Sequence, residues 1–200
     1  TDRVRPKWVE SQTINIIIMG EMTCLVNNKI HNEFGPAKMT VYPGVKKWYI
    51  NGMIHRDNDQ PAGEYENKKL EWYRHGMRHR EGDRPAIIYN NGSKSWWKNG
   101  RLHRDGDQPA MVYKNYISWF QNGMLHRDGD QPAMIHADGT REWYRYGKFH
   151  RDGDQPAIEH GNGTKRWYKN DGIKTMSVIV TMTNQLLYST MVIRNGINTA

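Results

Sequence analysis

His-Arg-Asp-Gly-Asp-Gln-Pro-Ala stands intact at His103–Ala110, His126–Ala133 and His150–Ala157. Edited copies stand at His55–Ala62 (HRDNDQPA) and His79–Ala86 (HREGDRPA), and a shorter one, HNEFGPA, at His31–Ala37. Six phased copies make this a repeat protein, so one small supersecondary unit must explain most of the fold. Trp48, Trp72, Trp96, Trp119, Trp143 and Trp167 keep the same beat, with a period of 24 residues and one 23-residue unit. From each Trp to the next His the spacing is always 7, whereas from Pro to the next Trp it is 12, 11, 11, 10, 11 and 11. Variation in length collects in loose turns, so the Trp-to-His segment is read as the rigid part.

That segment reads as a β-hairpin. Asn51-Gly52, Asn99-Gly100 and Asn122-Gly123 suit a two-residue type I′ turn, whose central residues both need φ > 0. His75-Gly76 and Tyr146-Gly147 occupy the same place with a poorer first residue. Counting outward pairs Trp48 with His55, Trp72 with His79, Trp96 with His103, Trp119 with His126 and Trp143 with His150. Directly opposed residues share a face. The other face would carry Tyr49/Ile54, Tyr73/Arg78, Trp97/Leu102, Phe120/Leu125 and Tyr144/Phe149. Side by side, the hairpins would form two columns on one sheet. After each His comes a polar turn, then Pro-Ala opening a second short strand, as in Ala86–Tyr89 and Ala110–Tyr113. Proline is tolerated there because a strand's first N–H is dispensable. Asn91-Gly92, Asp138-Gly139 and Asn162-Gly163 then return the chain to the next Trp, and the shorter Lys114-Asn115-Tyr116 accounts for the 23-residue unit.

The expected fold is all-β: an elongated, twisted antiparallel ribbon of stacked hairpin repeats with atypical β caps at both ends. Residues 1–27 would be an N-terminal arm, with Trp8 as an anchor, followed by capping strands at Thr13–Gly20 and Glu21–Asn27. Residues 28–172 would be the array, and 173–200 a closing hairpin over the last edge, with a turn at Asn184-Gln185. A six-bladed propeller is disfavoured, since a blade needs about 40 residues for four strands.

The repeat W-[YWF]-x-N-G-x-x-H-R-x-G-D-x-P-A, followed by an Asp-Gly or Asn-Gly turn, resembles the MORN repeat, in its HR-x-x-G-P-A form. The matching positions are Trp143, the turn at Tyr146-Gly147, His150, Arg151 and Gly163, and the resemblance spans about residues 28–172. The second glycine of the family's G-x-G is Pro-Ala here. The resemblance implies strings of antiparallel hairpins that serve as interaction or scaffolding surfaces. It also implies an origin among large DNA viruses, phages or bacteria, and hence a virion or cytoplasmic location.

Composition narrows the chemistry. The chain has 29 Lys+Arg against 21 Asp+Glu and one cysteine, Cys24. That permits an anionic partner and rules out an internal disulfide. No apolar run approaches the ~18 residues of a membrane span, and Ile16–Met19 is too short and too far inside the chain for a signal peptide. His-Arg-Asp at 55, 103, 126 and 150 is not a kinase catalytic loop, since neither a Gly-rich loop nor Asp-Phe-Gly accompanies it. An active site needs one asymmetric constellation, and a repeat supplies a column of identical groups. No catalysis, cofactor or metal is therefore expected: His55, His79, His103, His126 and His150 are read as structural, with ring nitrogens bonded to neighbouring turns, and the turn Asp residues as holding backbone N–H groups. Arg74, Lys98 and Arg145, among the cations flanking the Trp column, could make it a basic aromatic surface for nucleic acid. The preferred expectation has Lys/Arg stems lying across half-buried indoles. Three roles remain: a non-catalytic scaffold binding protein partners, including those of a virus or phage particle; a nucleic-acid binder; or an antitoxin-like inhibitory binder.

Overall fold

Each repeat contributes two hairpins, and they enter different sheets. The computed structural model describes residues 13–18, 20–32, 35–40, 44–169, 172–173, 177–182 and 185–190. Its main sheet is antiparallel, open and 15-stranded. It begins with β1 (Thr13–Ile18) and β2 (Glu21–Val26), with β3 (Lys29–Ile30) as a side branch, and continues through β4 (Lys38–Thr40) and β5 (Val45–Lys47). Thereafter each repeat adds one strand after Pro-Ala and one before the next Trp, such as Gly63–Tyr65 and Leu70–Glu71, ending at Lys165–Arg166.

The Trp-to-His hairpins have the register expected from their turns. Tyr49 pairs Ile54, Tyr73 pairs Arg78, Trp97 pairs Leu102, Phe120 pairs Leu125 and Tyr144 pairs Phe149. Both turn residues have positive φ in all five: 51° and 83° at Asn51-Gly52, 47° and 82° at Tyr146-Gly147. That is the type I′ signature. The expectation that these hairpins stand within the sheet is corrected, because each forms its own two-stranded sheet. The cause lies at the tryptophan. Trp72 N–H donates to Ala86 O in the main sheet (2.8 Å), while Trp72 O accepts from His79 N–H in the hairpin (3.2 Å). The chain therefore changes sheet at each Trp. Successive hairpins are still joined at their tips: Gly76 N–H donates to Ile54 O (2.9 Å) and Gly147 N–H to Leu125 O (2.8 Å).

The core is a strip of columns. Trp72, Trp96, Trp119 and Trp143 are buried, as are His55, His79, His126 and His150. Beside them, Ala37, Ala62, Ala86, Ala110, Ala133 and Ala157 are 0% exposed. Each of the last five takes the backbone N–H of a Trp on its carbonyl, so a larger side chain there has nowhere to go. At the array's end, Gly161 comes so close to its neighbour that a Cβ would lie 1.9 Å from Asp138 O.

At the C-terminal end, Ser177–Met182 pairs Gln185–Thr190 as an isolated two-stranded sheet close to Lys165–Arg166. Among the described residues these two strands pair only with each other and not with that last edge. Gln185 lies in a strand opposite Met182, so it is not a turn residue. The arm at 1–12 with Trp8, and residues 191–200, lie outside the described residues.

Ala110→Val adds two methyl groups at a fully enclosed site and should cost ~1–3 kcal/mol by overpacking. Met124→Val, at a hairpin tip 44% exposed, should stay within ~0.5 kcal/mol. Urea denaturation of the two variants measures the difference.

Candidate functional site

The columns that look chemically active are wired into one another. Each indole lies under the Arg that follows the His of its own repeat: the guanidinium carbon is 3.8 Å from the Trp48 ring centre for Arg56, 3.7 Å from Trp72 for Arg80, 3.9 Å from Trp96 for Arg104, 3.9 Å from Trp119 for Arg127 and 3.8 Å from Trp143 for Arg151. From Arg80 onward the same Arg forks onto an Asp of the preceding repeat, whereas Arg56 bonds Glu64 of its own repeat. Arg80 reaches Asp59 at 2.9 Å through both Nε and Nη2, and Arg127 reaches Asp107 at 2.7 and 2.9 Å. Arg104–Asp83 and Arg151–Asp130 repeat the pairing. Another nitrogen of the Arg holds its own repeat's Pro carbonyl, as Arg80 does Pro85 O at 3.2 Å. Only a planar five-donor fork can stack and bridge in this way.

The indole N–H completes the joint. Trp72 donates to Asp59 O at 3.0 Å, Trp96 to Asp83 O at 3.1 Å, Trp119 to Asp107 O at 3.1 Å and Trp167 to Asp154 O at 3.2 Å. These four Asp residues have positive φ, between 49° and 57°, which aims their carbonyls at the next repeat. Asp130 is not in that region, and Trp143 Nε1 is buried with no hydrogen-bond partner among the described residues. The turn conformation and the indole bond thus come and go together.

The histidines are tied to the next hairpin and to their own turn. A backbone N–H can only donate, so Nδ1 accepts from it and the neutral ring carries its proton on Nε2. Asn51 N–H donates to His31 Nδ1 (3.1 Å), His75 to His55 (3.0 Å), Asn99 to His79 (3.1 Å), Asn122 to His103 (3.2 Å) and Tyr146 to His126 (3.4 Å). Nε2 meets Asp57, Asp105, Asp128 and Asp152 at 2.8–3.1 Å, and Glu81 at 3.0 Å. For His150 the corresponding turn, at Asn170-Asp171, lies outside the described residues. Bonding of the ring to a neighbouring turn is thus as expected. The role expected for the turn Asp residues is corrected: they serve His and Arg side chains. Asx-type bonds to backbone N–H belong to the other turns, such as Asn91 Oδ1 from Ser93 N–H (3.0 Å) and Asp138 Oδ1 from Thr140 N–H (2.8 Å).

The two weak turn residues also find a purpose. His75 stacks on His55 with ring centres 4.6 Å apart, and Tyr146 stacks on His126 at 4.2 Å. Such ring pairs contribute ~0.5–1.5 kcal/mol, enough to offset much of the left-handed backbone's cost of ~1–2 kcal/mol for a residue with a Cβ.

Arg74, Lys98 and Arg145 do not lie over the Trp column. They pair with Glu81 (2.6 Å), Asp105 (3.0 Å) and Asp152 across the exposed rim. The cation on each indole is the Arg after the His, which sequence reasoning passed over. Its signal was present, since Arg follows His in the last five copies and an Asp recurs three residues later. Sequence reasoning also missed Glu71. Burial pushes its carboxyl upward, but hydrogen bonds from Tyr65 (2.8 Å) and Lys69, with Arg78 nearby, bring it below the ordinary range. Burial and the Glu71 charge push the Tyr73 hydroxyl up to about 12.

Magnitudes order these effects. A buried indole removes ~150–250 Å² from water, or about 4–6 kcal/mol at ~25 cal/mol per Å². The cation–π contact adds ~0.5–1 kcal/mol and each hydrogen bond about as much. Burial supplies the stability, and the polar contacts fix how one repeat seats on the next. Among the described residues, no three His, Cys, Asp or Glu side chains gather as a metal site. The sequence matches no protein-family model and no curated protein.

Trp119→Ala should cost ~3–5 kcal/mol in denaturant unfolding, and negligible loss would mean an exposed indole. Acid should loosen the joints. Hydrogen bonds from Arg80, Arg104, Arg127 and Arg151 hold Asp59, Asp83, Asp107 and Asp130 below their usual 3.8. Their stabilisation is complete above that value and is lost as pH falls through the depressed folded values. Unfolding free energy should therefore decline below about pH 4, less steeply in Asp107→Asn.

Proposed function

We propose that the protein is a non-catalytic β-repeat scaffold of MORN-like kinship that docks a protein partner along its array. The observation that carries this reading is the row Tyr49, Tyr73, Trp97, Phe120, Tyr144 and Tyr168. One half-buried aromatic stands at the same point of every hairpin, on the face away from the buried Trp–His pairs. Ile54, Leu102, Leu125 and Phe149 stand opposite, also half-buried. Phe149 stacks between Tyr144 (4.3 Å) and Tyr168 (5.1 Å). Rigid aromatics with polar tips are favoured in protein interfaces. The engagement of the His rings with the next repeat's turn, and of Arg80, Arg104, Arg127 and Arg151 with the preceding repeat's Asp, supports a role without catalysis. A component of a viral or phage particle fits this reading, with other particle proteins as partners.

Nucleic-acid binding by the Trp column is the weaker reading. A base could stack on these indoles only by displacing a guanidinium already bound to Asp and to a Pro carbonyl.

The test is recovery of the native protein's partner across a salt series. A protein partner should stay bound as salt rises and should be released by Trp97→Glu combined with Phe120→Glu, with the variant still folded by circular dichroism. A complex with nucleic acid that weakens steeply with salt and survives both substitutions would overturn the proposal.

A further inference from the structure

The two ends of the main sheet are built differently. The outermost strand at the C-terminal end, Lys165–Arg166, exposes both its basic side chains, a common defence of a sheet edge. The strand at the other end, β1, reads TINIII and has no charged residue. It pairs with β2 alone, and among the described residues no strand occupies its outer edge. Ile16, Ile17 and Ile18 are 38%, 74% and 64% exposed. Successive residues point to opposite faces of a strand, so both faces here are uncovered. A short, uncharged, β-branched edge without proline is a template for another strand.

We propose that β1 is a self-association site, joining two copies of this chain antiparallel about a two-fold axis at Ile17. The hydrogen-bond parity identifies the groups on offer. Cys24 N–H donates to Ala37 O (2.8 Å), and Cys24 O accepts from His31 N–H (3.1 Å), both away from β1. Its neighbour Thr23 therefore faces β1 and bonds Ile16, its register partner. The backbone N–H and C=O of Asn15 and Ile17 then point to the open edge. Centring the axis on Ile17 sets Ile17 against the second copy's Ile17 as a hydrogen-bonded pair. Ile16 falls opposite the second copy's Ile18, and the reverse, so every exposed isoleucine meets another. Pairing β1 with the opposite end would instead set isoleucines against Lys165 and Arg166. An isologous contact is therefore favoured, and it closes at two copies because the two-fold axis uses the same edge of both partners. With a net charge of +8 per chain, the dimer should tighten as salt screens the repulsion.

The test is light scattering and sedimentation equilibrium on the full chain from micromolar to millimolar concentration. Twice the chain mass is expected, in a concentration-dependent equilibrium. Ile17→Pro removes an edge N–H without touching the β1–β2 ladder, and Ile17→Lys places a charge on the axis. Each should weaken dimerisation at least tenfold and leave the thermal unfolding midpoint unchanged. A hydrogen-bonded antiparallel pair has Cα atoms ~5.5 Å apart, within the ~4.4–6.8 Å a disulfide spans. Ile17→Cys should therefore oxidise to a covalent dimer, and Ile16→Cys should not. A monomer throughout, a dimer indifferent to Ile17→Pro and Ile17→Lys, cross-linking at 16 but not 17, or open-ended growth would each overturn the proposal. Capture of the monomer by lipid vesicles in place of a second copy would do the same.

Discussion

Everything in this chain depends on hiding a tryptophan that no single repeat can hide. A hairpin of about ten residues has one face too many for its size. The indole at its base is covered from within by the repeat's own arginine, and at Trp72, Trp96 and Trp119 its N–H is satisfied by an Asp carbonyl of the repeat before. The arginine in turn needs that Asp's carboxylate. Neither contact exists in an isolated unit, so each repeat is finished by its predecessor. This is the nearest-neighbour logic of a quasi-one-dimensional protein, and it explains why the motif occurs as a phased run.

The division of labour between apolar and polar groups follows from the energies. Burial of the indole is several-fold larger than any one of the polar contacts around it. Those contacts are directional, however, and burial is not. The Arg–Asp fork, the indole bond and the histidine bond to the next hairpin's turn together admit one seating of repeat on repeat. The 23-residue unit shows what is held constant. One residue is lost at Lys114-Asn115-Tyr116, yet Trp119 still meets Asp107 O and Arg127 still forks onto Asp107. The deletion is absorbed in the second hairpin, away from the joint.

Much of this was legible in the sequence, for local reasons. Asn-Gly at fixed distance from Trp and His determines both turn type and pairing, so the hairpin registers could be read by counting. The opposition of Trp and His followed at once. What could not be read by counting were contacts between residues about twenty apart. The bridge from each arginine to the previous Asp depends on how units stack, and its seat on its own repeat's tryptophan is a side-chain contact that strand pairing does not specify. The switch of sheet at each Trp was hidden for a related reason: the backbone N–H and C=O of one residue serve different partners, and a strand pattern does not show this. His75 and Tyr146 were recognisable as poor turn residues, but their stacking on His55 and His126 appears only once neighbouring hairpins are in place.

The joint between repeats can be read by hydrogen exchange of the indole N–H groups, resolved by NMR with ¹⁵N-labelled tryptophan. Trp72, Trp96 and Trp119 donate to a carbonyl of the preceding repeat under a guanidinium. Their indole protons should therefore exchange slowly and at similar rates, through opening of the joints between repeats. Free exchange of these three, as for an indole in open water, would contradict the account, because the repeats would then be held together by something other than the shared tryptophan.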